Sequence, residues 1–130
     1  MANIHKILSK GGVVIDPNEI VYTQWTPEFD INELKLLHRE WFPIDYDVTF
    51  FDKIVDGTQD CFLATYPYKT KKKRNNYCII GAIIFNIQEI DYSKIQFTFD
   101  SFWEDFFTIY ILTIGVVNEA RRLGIATKFL

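Results

Sequence analysis

Two cysteines, two histidines and a single methionine in 130 residues leave little material for metal, redox or thiol chemistry. Cys61 and Cys78 stand in strand-like runs without the paired spacing of a metal site or a disulfide framework. They read as buried, reduced thiols of a cytosolic-facing protein. Charge of one sign is also lacking. A formal net charge of −3 gives no general pull toward nucleic acid or anionic lipid. No long apolar run exists either. The longest, Phe106 to Asn118, falls short of the roughly 20 residues a membrane-spanning helix needs. Met1 to Gly12 has no apolar core of the signal-peptide kind. There are no internal repeats and no low-complexity linker.

What is present is core material. The chain is 48% hydrophobic and 17% aromatic, enough for one globular domain. Residues 1–18 carry two glycines and a proline without periodicity, and read as a flexible extension containing His5. The domain is expected over residues 19–130. Glu19 to Trp25 alternates as a first strand. A helix follows, with Asp30 as cap, Glu33 placed for a capping box and Phe29 placed to staple onto Leu34. Its apolar face is Ile31, Leu34 and Leu37 with Trp41, and Pro43 marks its end. His38 on this helix reads as a surface or half-buried residue. Val48 to Val55 is expected as a short helix closed by Asp56-Gly57.

Asp60 to Tyr68 and Tyr77 to Ile90 read as an antiparallel pair of strands. The link between them, Lys69 to Asn76, holds Lys71-Lys72-Lys73-Arg74. Such a run serves nucleic-acid binding or targeting in some proteins, but at a hairpin tip of an acidic chain it reads as a solvated loop. Asp91 to Asp105 is an aromatic-rich connector without usable periodicity. Phe106 to Val117 is a β-rich apolar run of the kind buried on both faces, and Gly115 inside it suggests a bulge or a close backbone approach.

That strand leads into Arg121-Arg122-Leu123-Gly124-Ile125-Ala126 and then a helix start. A helix start offers unpaired N–H groups and the positive end of the helix dipole. Gly124 has no Cβ to hold a ligand off, Ala126 adds only a methyl, and two arginines add positive charge. The arrangement suits a phosphate.

The six residues fit Arg/Gln-x-x-Gly-x-Gly/Ala and resemble the pyrophosphate-binding signature of GCN5-related N-acetyltransferases (GNATs). Trp41-Phe42-Pro43-Ile44-Asp45-Tyr46 resembles the Trp-Phe-Pro-Ile-acidic-Tyr loop of the N-alpha-acetyltransferase 60 (NatF) family, as does Phe62-Leu63-Ala64-Thr65-Tyr66. Tyr110 to Ile125 is similar to the same family in the same order. The departures are Asp45 for Glu, Ala126 for Gly and the longer basic segment at Lys69 to Asn76.

The resemblance implies an α/β (α+β) GNAT fold, a mixed, mostly antiparallel sheet with flanking helices, ending here within the helix after the central strand. It implies acetyl-CoA as co-substrate and no metal. The cofactor-binding residues it implies are Ile114, Gly115 and Val116 on the strand, and Arg121, Arg122, Leu123, Gly124, Ile125, Ala126 and Thr127 in the turn. Tyr110 matches the family's catalytic tyrosine; without the resemblance it would read as a core aromatic. Phe42, Tyr46 and Leu112 would shape the peptide groove. Substrates would be protein N-terminal peptides, with histone lysines as a further class. An α-amine titrates about 2.5 units below a lysine amine, so it is roughly 3.5 kcal/mol easier to neutralise, which favours the N-terminal substrate. Location would be cytoplasmic, with Golgi-membrane association in a longer form. The family's domain continues with further strands, helices and a catalytic histidine, so activity is expected to need a further C-terminal segment. The alternative is a non-catalytic GNAT fragment that binds acetyl-CoA or a partner.

Overall fold

The structure is a computed structural model and describes residues 14–70, 73–89 and 107–130. Strand β1 spans Val21–Gln24, β2 Asp60–Thr70, β3 Lys73–Glu89 and β4 Phe107–Val116. They form one sheet in the order β1-β2-β3-β4, every pairing antiparallel. Helices α1 (Ile31–Trp41) and α2 (Val48–Val55) lie between β1 and β2 in the chain, and α3 (Ile125–Phe129) follows β4 through a 3₁₀ turn at Asn118–Ala120. The expected α/β (α+β) class is what the chain adopts. The connector at Asp91 to Asp105, together with Met1 to Val13 and Lys71-Lys72, lies outside the described residues. Within the segment read as an extension, Ile15 is buried and the Asp16 N–H donates to the Tyr66 hydroxyl at 2.9 Å.

Each helix begins where its sequence says. The Asp30 carboxylate accepts from the Asn32 N–H at 2.9 Å and the Asp47 carboxylate from the Thr49 N–H at 3.2 Å, satisfying donors with no partner inside the helix. Asp56 closes α2, and Gly57 follows at φ +85°. The expected capping box does not form. Glu33 instead reaches across to β3 and accepts from the Ile79 N–H at 3.2 Å. That bond sits beside an irregularity, because Ala64 pairs Gly81 while Thr65 pairs Ile79, leaving Ile80 as the extra residue. Burial raises the Glu33 pKa, partly offset by that hydrogen bond.

The core lies between the helices and the sheet. Leu34, Leu37, Phe51 and Ile54 come from the helices, and Leu63, Ile80, Ala82 and Ile84 from the strands. Leu34, Leu63, Ile80 and Ile84 are fully covered, each contributing about 1.5–3 kcal/mol through burial. Cys61 and Cys78 are free and buried, and burial pushes both thiols up to about 12. Both are inert at neutral pH.

Strand β4 differs from its sequence reading in two ways. It is the last strand of the described sheet, and Ile109, Tyr110, Ile111 and Leu112 are all exposed rather than buried on both faces. The bulge is also displaced. Ile84 pairs Thr113 and Phe85 pairs Ile111, so the extra residue is Leu112 and not Gly115. Gly115 pairs regularly with Ala82, and its missing side chain serves the close approach that the sequence left as the other option.

Candidate active site

Helix α1 docks on β4 through two residues three apart. His38 is 1% exposed. Its Nδ1 lies 3.0 Å from the Leu34 carbonyl oxygen and its Nε2 2.9 Å from Thr113 Oγ1. A carbonyl only accepts, so Nδ1 carries the hydrogen and Nε2 accepts from the Thr113 hydroxyl. Burial holds the ring's pKa below the ordinary value, which favours this neutral form. One turn on, the Trp41 indole lies over Gly115. A Cβ at Gly115 would stand 2.3 Å from Trp41 Cε3, closer than any side chain tolerates. Only glycine leaves room for that ring.

Five rings surround His38, those of Trp41, Phe42, Tyr46, Phe50 and Phe51, at centroid separations from 5.3 to 6.2 Å. Phe42 and Tyr46, named from the sequence for the peptide side, thus share one aromatic cluster and contact each other at 6.2 Å. Pro43 lies between them in the loop joining α1 to α2. A cleft of about 250 Å³ opens there, lined in part by Lys35, His38, Arg39, Asp45, Tyr46 and Phe51. A larger cleft of about 350 Å³, lined by Phe62, Phe85 and Phe129 among others, touches none of the cofactor, catalytic or peptide-side residues named from the sequence.

Tyr110 pairs with Asn86, and Thr113 with Ile84. Paired residues of an antiparallel ladder share a face, and Asn86 and Ile84 are two apart. Through the bulge, Tyr110 and Thr113 therefore face the α1 side together. Tyr110 is about half exposed and makes no hydrogen bond or ring contact among the described residues. Leu112 projects at the bulge itself and is exposed. Ile114, Gly115 and Val116 run along an edge that no other described strand covers, and of its backbone groups the Val116 carbonyl is taken by Arg121.

The turn after β4 holds two left-handed residues, Arg122 at φ +67° and Gly124 at φ +79°. Gly124 precedes α3 and supplies no side-chain cap, and nothing stands within 4 Å of where its Cβ would be. The first in-helix donor to bond back is Lys128 N–H, to the Gly124 carbonyl at 2.9 Å. The Ile125, Ala126 and Thr127 N–H groups thus have no acceptor within the helix, at its positive end. Arg121 Nε–H donates to the Val116 carbonyl at 3.3 Å, tying the turn to the strand end, and both arginines are exposed. Leu123 and Ile125 anchor the turn in the core, with Ile125 2% exposed.

His38 and Thr113 were missed by the sequence reading. The helical signal was there: Leu34, His38 and Trp41 recur at i, i+4 and i+7, which puts the histidine on the apolar face. Among the described residues no group of three His, Cys, Asp or Glu side chains could hold a metal, and no helix is long and apolar enough to cross a membrane.

No protein-family model matches the chain. Over 125 residues, 95% of this chain, it is 29% identical to a protein of Arabidopsis thaliana named histone acetyltransferase MCC1, covering 49% of that protein. Over 105 residues, 78% of the chain, it is 31% identical to N-alpha-acetyltransferase 60 of Xenopus tropicalis, covering 40% of it. The chain thus spans about half the length or less of the curated relatives it matches. Its fold superposes on the crystal structure of Arabidopsis thaliana NAA60 in complex with acetyl-CoA with a TM-score of 0.62, at 29% identity over 84% of this chain and 62% of that one. A second structure of that protein, in complex with a bisubstrate analogue, gives 0.61 at 28% identity, covering 84% of this chain and 61% of that one. An antiparallel sheet whose last described strand feeds a glycine turn and a helix start, found with these likenesses, makes the chain a member of the GCN5-related N-acetyltransferase superfamily. Within that superfamily it is close to N-alpha-acetyltransferase 60.

Proposed function

We propose that this chain binds acetyl-CoA along Ile114, Gly115 and Val116 and in the turn Arg121 to Thr127, and that with a further C-terminal segment it passes the acetyl group to a protein N-terminal amine. The observation that carries the reading is the turn. Gly124 sits at φ +79° with open space beside it, at the head of a helix whose first N–H groups lack a side-chain cap. A diphosphate there would meet backbone donors, the helix end and the two exposed arginines.

The chemistry follows from what the strand presents. The pantetheine amides would pair with the outward edge of β4, laying the thioester against the bulge. An uncharged amine attacks the thioester carbonyl, a C–N bond forms, the C–S bond breaks, and the amine proton leaves for solvent or the departing thiolate. Tyr110 lies on the α1 face with its hydroxyl free to handle that proton, and Phe42, Tyr46 and Leu112 would hold the peptide's first residue. N-terminal peptides are the preferred substrate class in this reading and histone lysines the second, in the cytoplasm, with Golgi-membrane association in a longer form.

A second reading rests on His38. Both its ring nitrogens are engaged, so it offers no base to assist Tyr110. His38 is the one histidine among the described residues, and a chain with the cofactor turn whose Tyr110 has no such assistance would bind acetyl-CoA without turning it over.

Titration calorimetry with acetyl-CoA and a transfer assay on methionine-starting peptides decide between these. Gly124→Glu puts a side chain and a negative charge where the diphosphate would lie, and is expected to weaken acetyl-CoA binding at least tenfold (about 1.4 kcal/mol) in a folded protein. Unchanged affinity removes the turn from the site. Binding without transfer, in a protein that also carries the C-terminal segment, selects the second reading.

A further inference from the structure

The loop from Phe42 to Asp47 and the bulge of β4 belong to different parts of the chain, and one buried polar bond joins the elements that carry them. His38 and Thr113 are 75 residues apart in sequence, 1% and 5% exposed, and 2.9 Å apart through Nε2 and Oγ1. Thr113 directly follows the bulged Leu112 and shares a face with Tyr110. His38 touches Phe42 and Tyr46 with its ring and holds Leu34 through its other nitrogen. Trp41 on Gly115, the adjoining contact, fixes how close the two elements come but carries no directional bond.

A buried imidazole in this place costs desolvation that an apolar residue would avoid. An aliphatic side chain would fill the ring cluster and leave the Thr113 hydroxyl without its acceptor. What the histidine adds is direction. A hydrogen bond is met only within a narrow range of distance and angle, whereas apolar contacts tolerate sliding. We propose that His38 is a positioning residue, setting the peptide-side loop of Phe42 and Tyr46 against Tyr110 and Leu112 through its bond to Thr113. It touches neither substrate and acts through threonine and loop. The inference rests on the transferase reading above and names the device that aligns the two halves of that site.

The test uses the full chain and two probes, acetyl-CoA alone and coenzyme A joined to the N-terminus of a methionine-starting peptide. Thr113→Val keeps the shape of the side chain and removes the donor; Thr113→Ser restores it. Thr113→Val is expected to weaken the peptide conjugate about tenfold or more, because misplaced binding groups lose their aligned contacts. It leaves acetyl-CoA affinity within about twofold, and Thr113→Ser recovers most of the loss. His38→Gln, which keeps an acceptor at the same reach, is expected to lose less than His38→Leu. Equal loss for both probes, or no loss for either, overturns the positioning role while the transferase reading stands. Failure of the wild-type chain to bind either probe overturns the parent reading and this one with it. ¹⁵N spectra of the imidazole give a check independent of any ligand. The Nε2 signal of an accepting, unprotonated nitrogen is expected to shift in Thr113→Val, and an unchanged signal rules the bond out.

Discussion

Replacing Gly115 with alanine tests the contact that seats α1 on the sheet. The new Cβ would lie 2.3, 2.5 and 2.9 Å from three carbons of the Trp41 ring, where ordinary contact begins near 3.4 Å. The indole must therefore retreat by about 1 Å, and Phe42 follows it in the chain. Overfilling a packed site costs about 1–3 kcal/mol. Against this, alanine loses less conformational freedom on folding than glycine, a gain of about 0.4–1 kcal/mol. The clash is the larger effect, leaving a net loss of about 1–2 kcal/mol. For a domain of this size a loss of 1 kcal/mol lowers Tm by roughly 3–5 °C, so Gly115→Ala should melt about 3–10 °C lower. Urea unfolding measures the same quantity as a fall in midpoint with unchanged slope. Specificity comes from a second background. With Trp41→Leu the obstructing ring is gone, and adding Gly115→Ala should then cost nothing or stabilise, a coupling of about 1–3 kcal/mol in the double-mutant cycle. If Gly115→Ala leaves stability intact, or costs the same with and without the indole, the close approach of Trp41 is not what requires a glycine at 115. Intact stability with weakened acetyl-CoA binding would return Gly115 to a purely ligand-facing role.

Tyr110→Phe removes one exposed hydroxyl that makes no hydrogen bond among the described residues, so stability should change by less than about 0.5 kcal/mol. Turnover should fall about 10²-fold with acetyl-CoA affinity unchanged, read by steady-state kinetics and calorimetry, and equal turnover would show the tyrosine to be a surface aromatic. The pH dependence of stability has two opposed parts. His38 has its folded pKa lowered from 6.5, so below pH 6.5 the unfolded chain takes a proton that the folded chain resists, and stability falls as pH falls. Glu33 has its pKa raised from 4.5, so its contribution is full below pH 4.5 and is lost as pH rises through the folded value. Urea midpoints measured from pH 7 to 4 should lose the acid-side decline in His38→Gln and keep it in Glu33→Gln; the reverse pattern would refute these assignments.

Elements whose signals are local were legible in the sequence. Asp30 and the Leu34, Leu37 and Trp41 stripe gave α1, and Val48 to Val55 appears with its expected bounds because Asp56-Gly57 stops it. The turn at Gly124 was legible for the same reason, since a left-handed backbone and a helix start are local properties. What escaped depends on partners far along the chain. Glu33 left its capping box for an N–H on β3, and His38 is buried because Thr113 arrives from 75 residues away. The bulge was sought at the glycine, whose freedom suggested it, while the register places it at Leu112, where no side-chain preference marks it. Exposure of the first half of β4 was illegible too. An apolar run says that a strand can be buried, not that anything described here covers it.

The bulge also makes β4 a counted object. In a regular strand, residues three apart point to opposite sides; Tyr110 and Thr113 point to the same side only because one residue between them is unmatched. Leu112 can therefore vary in kind with little effect on its neighbours, and its exposed side chain is open to change with the substrate. It cannot vary in number. Removing it would turn Tyr110 and everything before it over to the far side of the sheet, away from His38, Phe42 and Tyr46, without altering a single reactive group. In this strand, length is the protected quantity and residue identity at 112 the adjustable one.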